Sequence, residues 1–188
     1  MRTALRNDVV INLLGSLEML ENHIAKTQIP KTKGIYFWKN NKTEAYEYIG
    51  IATNKQGLYG RIFSKHLKED YLEGRETKHS SSKDAYQLKN PIIKESRPGK
   101  KFIDKSSFRK NVGRAMRLCP GKETLDYIKE NGRFYFYSFE DIENIQIETI
   151  ETILISTFQP KYNISKKNQE VIQSDTMLED YKEVKVDL

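Results

Sequence analysis

Four side chains far apart in the chain have the chemistry to cut a phosphodiester together. Tyr36 and Tyr48 are phenols in two β-rich runs with eleven residues between them, Arg61 follows, and Glu151 stands much later. Such a hydrolysis needs an activated water, neutralised charge at phosphorus and help for the leaving oxygen. Glu151 offers a hard oxygen ligand. One carboxylate with waters and a substrate phosphate is an ordinary Mg²⁺ arrangement, because Mg²⁺ keeps much of its hydration. Arg61 can fork onto a non-bridging phosphate oxygen and stabilise developing charge. Either tyrosine could hold or deprotonate the water. A free phenol titrates near about 10, so a base role requires positive charge nearby. Lys55, Arg61, Lys65 and His66 are the candidate sources.

Local patterning says which elements carry these groups. Val9, Leu13, Leu14, Leu17, Leu20 and Ile24 recur at helical spacing and predict a first helix over about Leu5 to Lys26. Lys33 to Lys39 and Glu44 to Thr53 read as two strands joined at a polar turn, a β-hairpin. Leu58 to about Leu72 has helical period. Glu73 to Lys105 is polar, basic and Gly/Pro-containing, and reads as an insertion with little regular structure. Ser106-Ser107 can cap a helix to about Leu118. A short helix over Glu123 to Glu130, a strand over Phe134 to Phe139 and a long helix from a cap at Asp141 to Phe158 complete the order. The expectation is an α+β domain with a small, three-stranded antiparallel sheet flanked by helices. It divides into a helical extension over 1–30, a main domain over 31–165 with an insertion over about 73–105, and an acidic tail over 166–188.

Gly34-Ile35-Tyr36 and Tyr48-Ile49-Gly50, Leu58-x-x-Arg61, and Glu151 nine residues before Pro160-Lys161-Tyr162-Asn163 occur in one order. Together they resemble the signature of the GIY-YIG endonucleases, over about Gly34 to Asn163. The resemblance implies that fold, with Tyr36, Tyr48, Arg61, His66, Glu151 and Asn163 as catalytic residues, Glu151 as the metal ligand, and Mg²⁺, or Mn²⁺ in its place, as cofactor. It favours Tyr48 as water activator with Tyr36 supporting. It selects Glu151 over Glu148, one turn earlier. Many members place His or Tyr four residues after the arginine; here that position is Lys65, and His66 follows at five. In a helix the two point about 100° apart, so either Lys65 or an inward-turned His66 takes the role.

Taken singly, each residue has an ordinary reading: strand tyrosines pack, helix charges are solvated, His23 sits on an exposed helix side, and His79 lies in a polar loop. Only the joint pattern points to chemistry.

The charge balance fits a polyanion. Net charge is +6, and residues 168–188 hold six acids against two lysines, so the remainder carries +10. Between Lys94 and Arg117 the bases far outnumber Glu95 and Asp104, and Lys110, Arg114 and Arg117 fall on one helical face. Lys55, Lys65, Lys100, Lys101, Lys105, Arg109, Lys110 and Arg114 are the candidate contacts to DNA, double-stranded by preference. No apolar run of about 18 residues predicts a membrane span, and the N-terminus has no secretory pattern. With a single cysteine, Cys119, this suits the cytoplasm. The expected activity is metal-dependent DNA cleavage, in restriction or phage defence. The alternatives are a binding module that has lost cleavage and a structure-selective repair or recombination nuclease. The amphipathic N-terminal stripe is a candidate homodimer surface, or it packs on its own core.

Overall fold

The computed structural model describes residues 12–21, 23, 26–76, 100–164 and 166. His79, most of the basic insertion and most of the acidic tail lie outside these residues. The architecture is α+β: a four-stranded antiparallel sheet with helices on both faces, and a separate two-stranded ribbon. The strands are β1 (Glu18–Met19), β2 (Gly34–Asn40), β3 (Tyr46–Ala52), β4 (Leu72–Glu76), β5 (Lys100–Asp104) and β6 (Gly132–Ser138). The helices are α1 (Gly57–Arg61), running into a wide turn over Ile62–His66, then α2 (Ser107–Met116), α3 (Lys122–Asn131) and α4 (Asn144–Phe158). The sheet order is β1-β6-β2-β3.

β2 is the central strand and is buried along nearly its whole length. Alternation along a strand sends successive side chains to opposite faces. Ile35 and Phe37 therefore join Ile147, Ile150 and Leu154 of α4, while Tyr36 and Trp38 join Leu58, Phe108, Val112 and Ile128 on the other face. β6 repeats the division, with Phe134 and Phe136 facing α2 and α3, and Tyr135 and Tyr137 facing α4. In β3 the register slips between Trp38 and Lys39, so Trp38 pairs Tyr48 but Lys39 pairs Tyr46. Glu47 is the extra residue. The bulge reverses parity, as one inserted residue must. Tyr46 packs with Phe158, while Tyr48 turns to Phe108 on the opposite layer.

Several expectations are corrected. The sheet has four strands, because the segment predicted to continue the first helix breaks after residue 15 and lays β1 against β6. Leu13 and Leu20 of the apolar stripe are buried in this chain's own core. His23 is also buried; its Nε2 lies 3.1 Å from the Lys129 carbonyl, and Arg133 donates to the same nitrogen. The ends of the insertion are ordered as a ribbon, β4 against β5 from Leu72↔Asp104 to Glu76↔Lys100. The α4 cap is Glu143, which forms a reciprocal capping box with Gln146. Asp141 instead takes a left-handed turn conformation, which Asp tolerates. Among the described residues no helix is long and apolar enough to cross a membrane.

Candidate active site

β2 and β3 deliver the two tyrosines side by side. Tyr36 lies opposite Gly50 in the ladder, and the rings of Tyr36 and Tyr48 stand 6.2 Å apart. The absence of a side chain at Gly50 is what seats Tyr36: a Cβ there would fall 2.5 Å from the ring's Cζ. Gly57, at φ +52°, supplies the sharp turn that starts α1 against the carbonyl of Thr32. Arg61 then ends α1 beside both phenols.

The wide turn after Arg61 decides which neighbour joins them. The Leu67 amide donates to the Ile62 carbonyl five residues back, so the helix widens for one turn. Such insertions recur at functional sites. Here the wide turn carries His66 inward, 2% exposed, and leaves Lys65 at the rim. The Tyr36 hydroxyl and His66 Nε2 hydrogen-bond at 2.7 Å. His66 Nδ1 and the Ser106 hydroxyl do so at 2.6 Å, and Ser106 also caps α2 by accepting from the Arg109 amide. The buried chain Tyr36–His66–Ser106 thus ties sheet, wide turn and α2 together. Ser106 was visible in sequence only as a cap.

α4 covers the face of the sheet opposite these groups, and Glu151 meets Arg61 at the sheet edge. β3 is the sheet edge, and beyond its end a cleft of about 370 Å³ is lined by Ala52, Asn54, Arg61, Glu148, Glu151 and Lys166. Arg61 is therefore the wall where the carboxylate side and the phenol side meet. Lys166, which sequence reasoning passed over, donates to Glu151 Oε2 at 2.6 Å. It comes from far along the chain, and no local pattern announces it.

The electrostatics follow the geometry. Burial raises the Tyr36 phenol well above its ordinary value, and neighbouring Tyr48 adds to this. Burial likewise pushes Tyr48 up to about 12, against the pull of the Arg61 cation. Glu151 raises both phenols further, so its charge is felt at the tyrosines. Arg61 is held above its usual range by Tyr36 first, and its buried Nε has no hydrogen-bond partner. Burial, then Arg61, holds the His66 imidazole well below its normal value. At neutral pH the site holds two neutral phenols, a neutral imidazole and a guanidinium with a donor to spare.

Asn163 does not enter this cavity. Its Oδ1 accepts from the Ile49 amide at 2.9 Å and its Nδ2 donates to the Ile49 carbonyl at 2.8 Å. The Tyr162 amide donates to the Glu47 carbonyl. The segment after α4 thereby satisfies the free edge of β3 and pins the backbone on both sides of Tyr48. Asn163 thus holds the β3 backbone next to Tyr48.

The candidate DNA contacts separate. Arg109 is 0% exposed and pairs at 2.6 Å with the equally buried Asp104. It also donates to the carbonyls of Lys68, Glu69 and Gly121. A guanidinium so enclosed cannot reach DNA; it ties β5, α2 and the loops between them, and the expectation is corrected. Lys110 is held by Glu73 at 3.1 Å, and Arg114 is half-buried on α2. Lys100 and Lys101 begin β5, opposite Glu76 and Arg75. Lys55 and Lys105 are exposed, and Lys65 is partly so.

Among the described residues no group of three or more His, Cys, Asp or Glu gathers at one point. Glu151 and Glu148 line one cleft, and a cationic amine already sits on Glu151. That suits a cation held by one or two carboxylates and completed by water and phosphate oxygens, the habit of Mg²⁺. No family model, curated protein or solved structure matches the chain.

Proposed function

We propose that the chain is a metal-dependent endonuclease of GIY-YIG type that hydrolyses phosphodiester bonds in DNA. The observation that carries the reading is Arg61, standing between the cleft of Glu151 and the cavity of Tyr48. A phosphate set against Arg61 would have a cation-binding carboxylate on one side and a phenol on the other. Mg²⁺ held by Glu151, with Glu148 beside it, would supply charge neutralisation at phosphorus and a water of lowered pKa.

The chain's own residues do the rest. Tyr48 lines the cavity, whereas Tyr36 is fully buried and hydrogen-bonded to His66. Tyr48 is therefore the phenol that touches the attacking water, and Tyr36 and His66 position it. Tyr48 is neutral at pH 7, so it orients the water by hydrogen bonding rather than waiting as phenolate. As the water oxygen bonds to phosphorus its proton passes to solvent, the P–O ester bond breaks with its electron pair on the departing oxygen, which solvent protonates, and negative charge grows on the non-bridging oxygens. The guanidinium of Arg61, which lines both cavities, answers that charge.

The test is nicking of supercoiled plasmid with Mg²⁺, with Mn²⁺ and with chelator. Nicking that needs metal, disappears in Glu151→Gln and falls by about 10²–10³-fold in Arg61→Ala supports the proposal. DNA binding without cleavage under any divalent metal overturns it in favour of a binding module. Preference for flaps or branches over plain duplex identifies a structure-selective nuclease.

A further inference from the structure

Beside the phenol a second, smaller cavity of about 50 Å³ is lined by Tyr48, Arg61, Lys65, His66, Tyr71, Lys105, Ser106 and Ser107. Three cations and four hydroxyls converge there from different elements, and among the described residues no carboxylate lines it. Arg61 ends α1, Lys65 lies on the wide turn, and Lys105 stands between β5 and the cap of α2. Tyr71 precedes β4; its carbonyl accepts from the Lys105 amide, and the Lys105 amine stands 5.4 Å from its ring. Burial, and after it the neighbouring positive charges of Arg61 and Lys105, hold the Lys65 amine below its ordinary value. Gathering like charges without a counter-charge is unfavourable unless an anion completes the site. The opening turn of α2 adds its own partial positive charge. The space suits one small tetrahedral oxyanion and not a nucleoside.

We propose that the outer rim of this cavity, Lys65, Tyr71, Lys105 and Ser107 beside Arg61, is a second phosphoryl subsite that holds the backbone phosphate next to the scissile one, while the buried end at Tyr48 keeps the attacking water. The position next to the cut rests on the nuclease reading; the affinity for a phosphoryl anion does not. The subsite fixes the register of the strand, because a chain held at two successive phosphates cannot slide past Tyr48.

Two measurements on the full chain test it. Inorganic phosphate, titrated by calorimetry without metal, binds the wild type, and the pair Lys65→Gln and Lys105→Gln weakens it about tenfold or more. The Lys→Arg pair, which keeps the charge, retains binding, and an unchanged urea midpoint shows that each variant is folded. Equal phosphate affinity in wild type and the Gln pair overturns the subsite. Duplexes carrying one neutral methylphosphonate at successive positions then locate the contact. Cleavage by wild type slows about tenfold when the neutral linkage flanks the cut, and the Gln pair is insensitive to it. A flat scan with cleavage intact overturns the placement. Tighter binding only of duplexes with a terminal phosphate also overturns it, assigning the cavity to a chain end. Absence of cleavage on every substrate defeats the nuclease reading alone, since the phosphate titration still decides the subsite.

Discussion

Gly50→Ala probes the seat of Tyr36 most directly. The new Cβ would lie 2.5 Å from Cζ of Tyr36, short of an ordinary contact at 3.4 Å by about 0.9 Å. The far end of a flexible side chain could step aside cheaply, but Tyr36 cannot. It is 0% exposed, its ring is flanked by Tyr48, His66 and Phe134, and its hydroxyl is 2.7 Å from His66. Overpacking of this kind costs about 1–3 kcal/mol. If the ring swings away, a buried hydrogen bond opens at about 1–3 kcal/mol more. We therefore expect about 2–6 kcal/mol of destabilisation. Trp38, the single tryptophan and fully buried, reports urea unfolding. With a slope of about 2 kcal/mol/M, the midpoint should fall by about 1–3 M. If the nuclease reading holds, the displaced ring also slows nicking by about 10²-fold. Tyr36→Phe, which removes the hydroxyl nearest the new methyl, should relieve part of the loss in the double variant. A Gly50→Ala unfolding free energy within about 0.5 kcal/mol of wild type would refute this reasoning.

Three further outcomes are expected. Arg109→Met leaves the Asp104 carboxylate buried and unpaired, so urea unfolding should show a loss of about 3–5 kcal/mol. The salt dependence of DNA binding should stay unchanged, because Arg109 releases no counterion. Burial and then Arg133 lower the His23 imidazole to about 4, and burial with Arg61 also lowers His66. Both rings stay neutral in the fold while the unfolded chain protonates near about 6.5, so stability is whole above that pH and lost as pH falls toward 4. His23 contributes at most about 3 kcal/mol of this; a melting temperature flat between pH 7 and 4.5 contradicts it. Lys166→Met frees the Glu151 carboxylate and should tighten Mn²⁺ binding, followed by calorimetry, about two- to tenfold; unchanged or weaker binding rules out competition.

The sequence by itself determined the local elements: two strands at hairpin spacing, a third before the last helix, and the helices between them, because strand and helix periods are carried by neighbouring residues. It also placed the tyrosine, arginine and glutamate each on a definite element. Only the tertiary structure decided what each of them meets. The turn that brings His66 rather than Lys65 to Tyr36 departs from helical period by one residue and leaves no mark in the pattern. Arg109 reads as one more cation on a basic face until Asp104, Gly121 and the carbonyls of Lys68 and Glu69 close around it. The pairing of β4 with β5, the grip of Asn163 on Ile49 and the reach of Lys166 to Glu151 join residues remote in sequence. Periodicity reports which side of an element is buried; it holds no information about the partner, which packing of the whole chain selects.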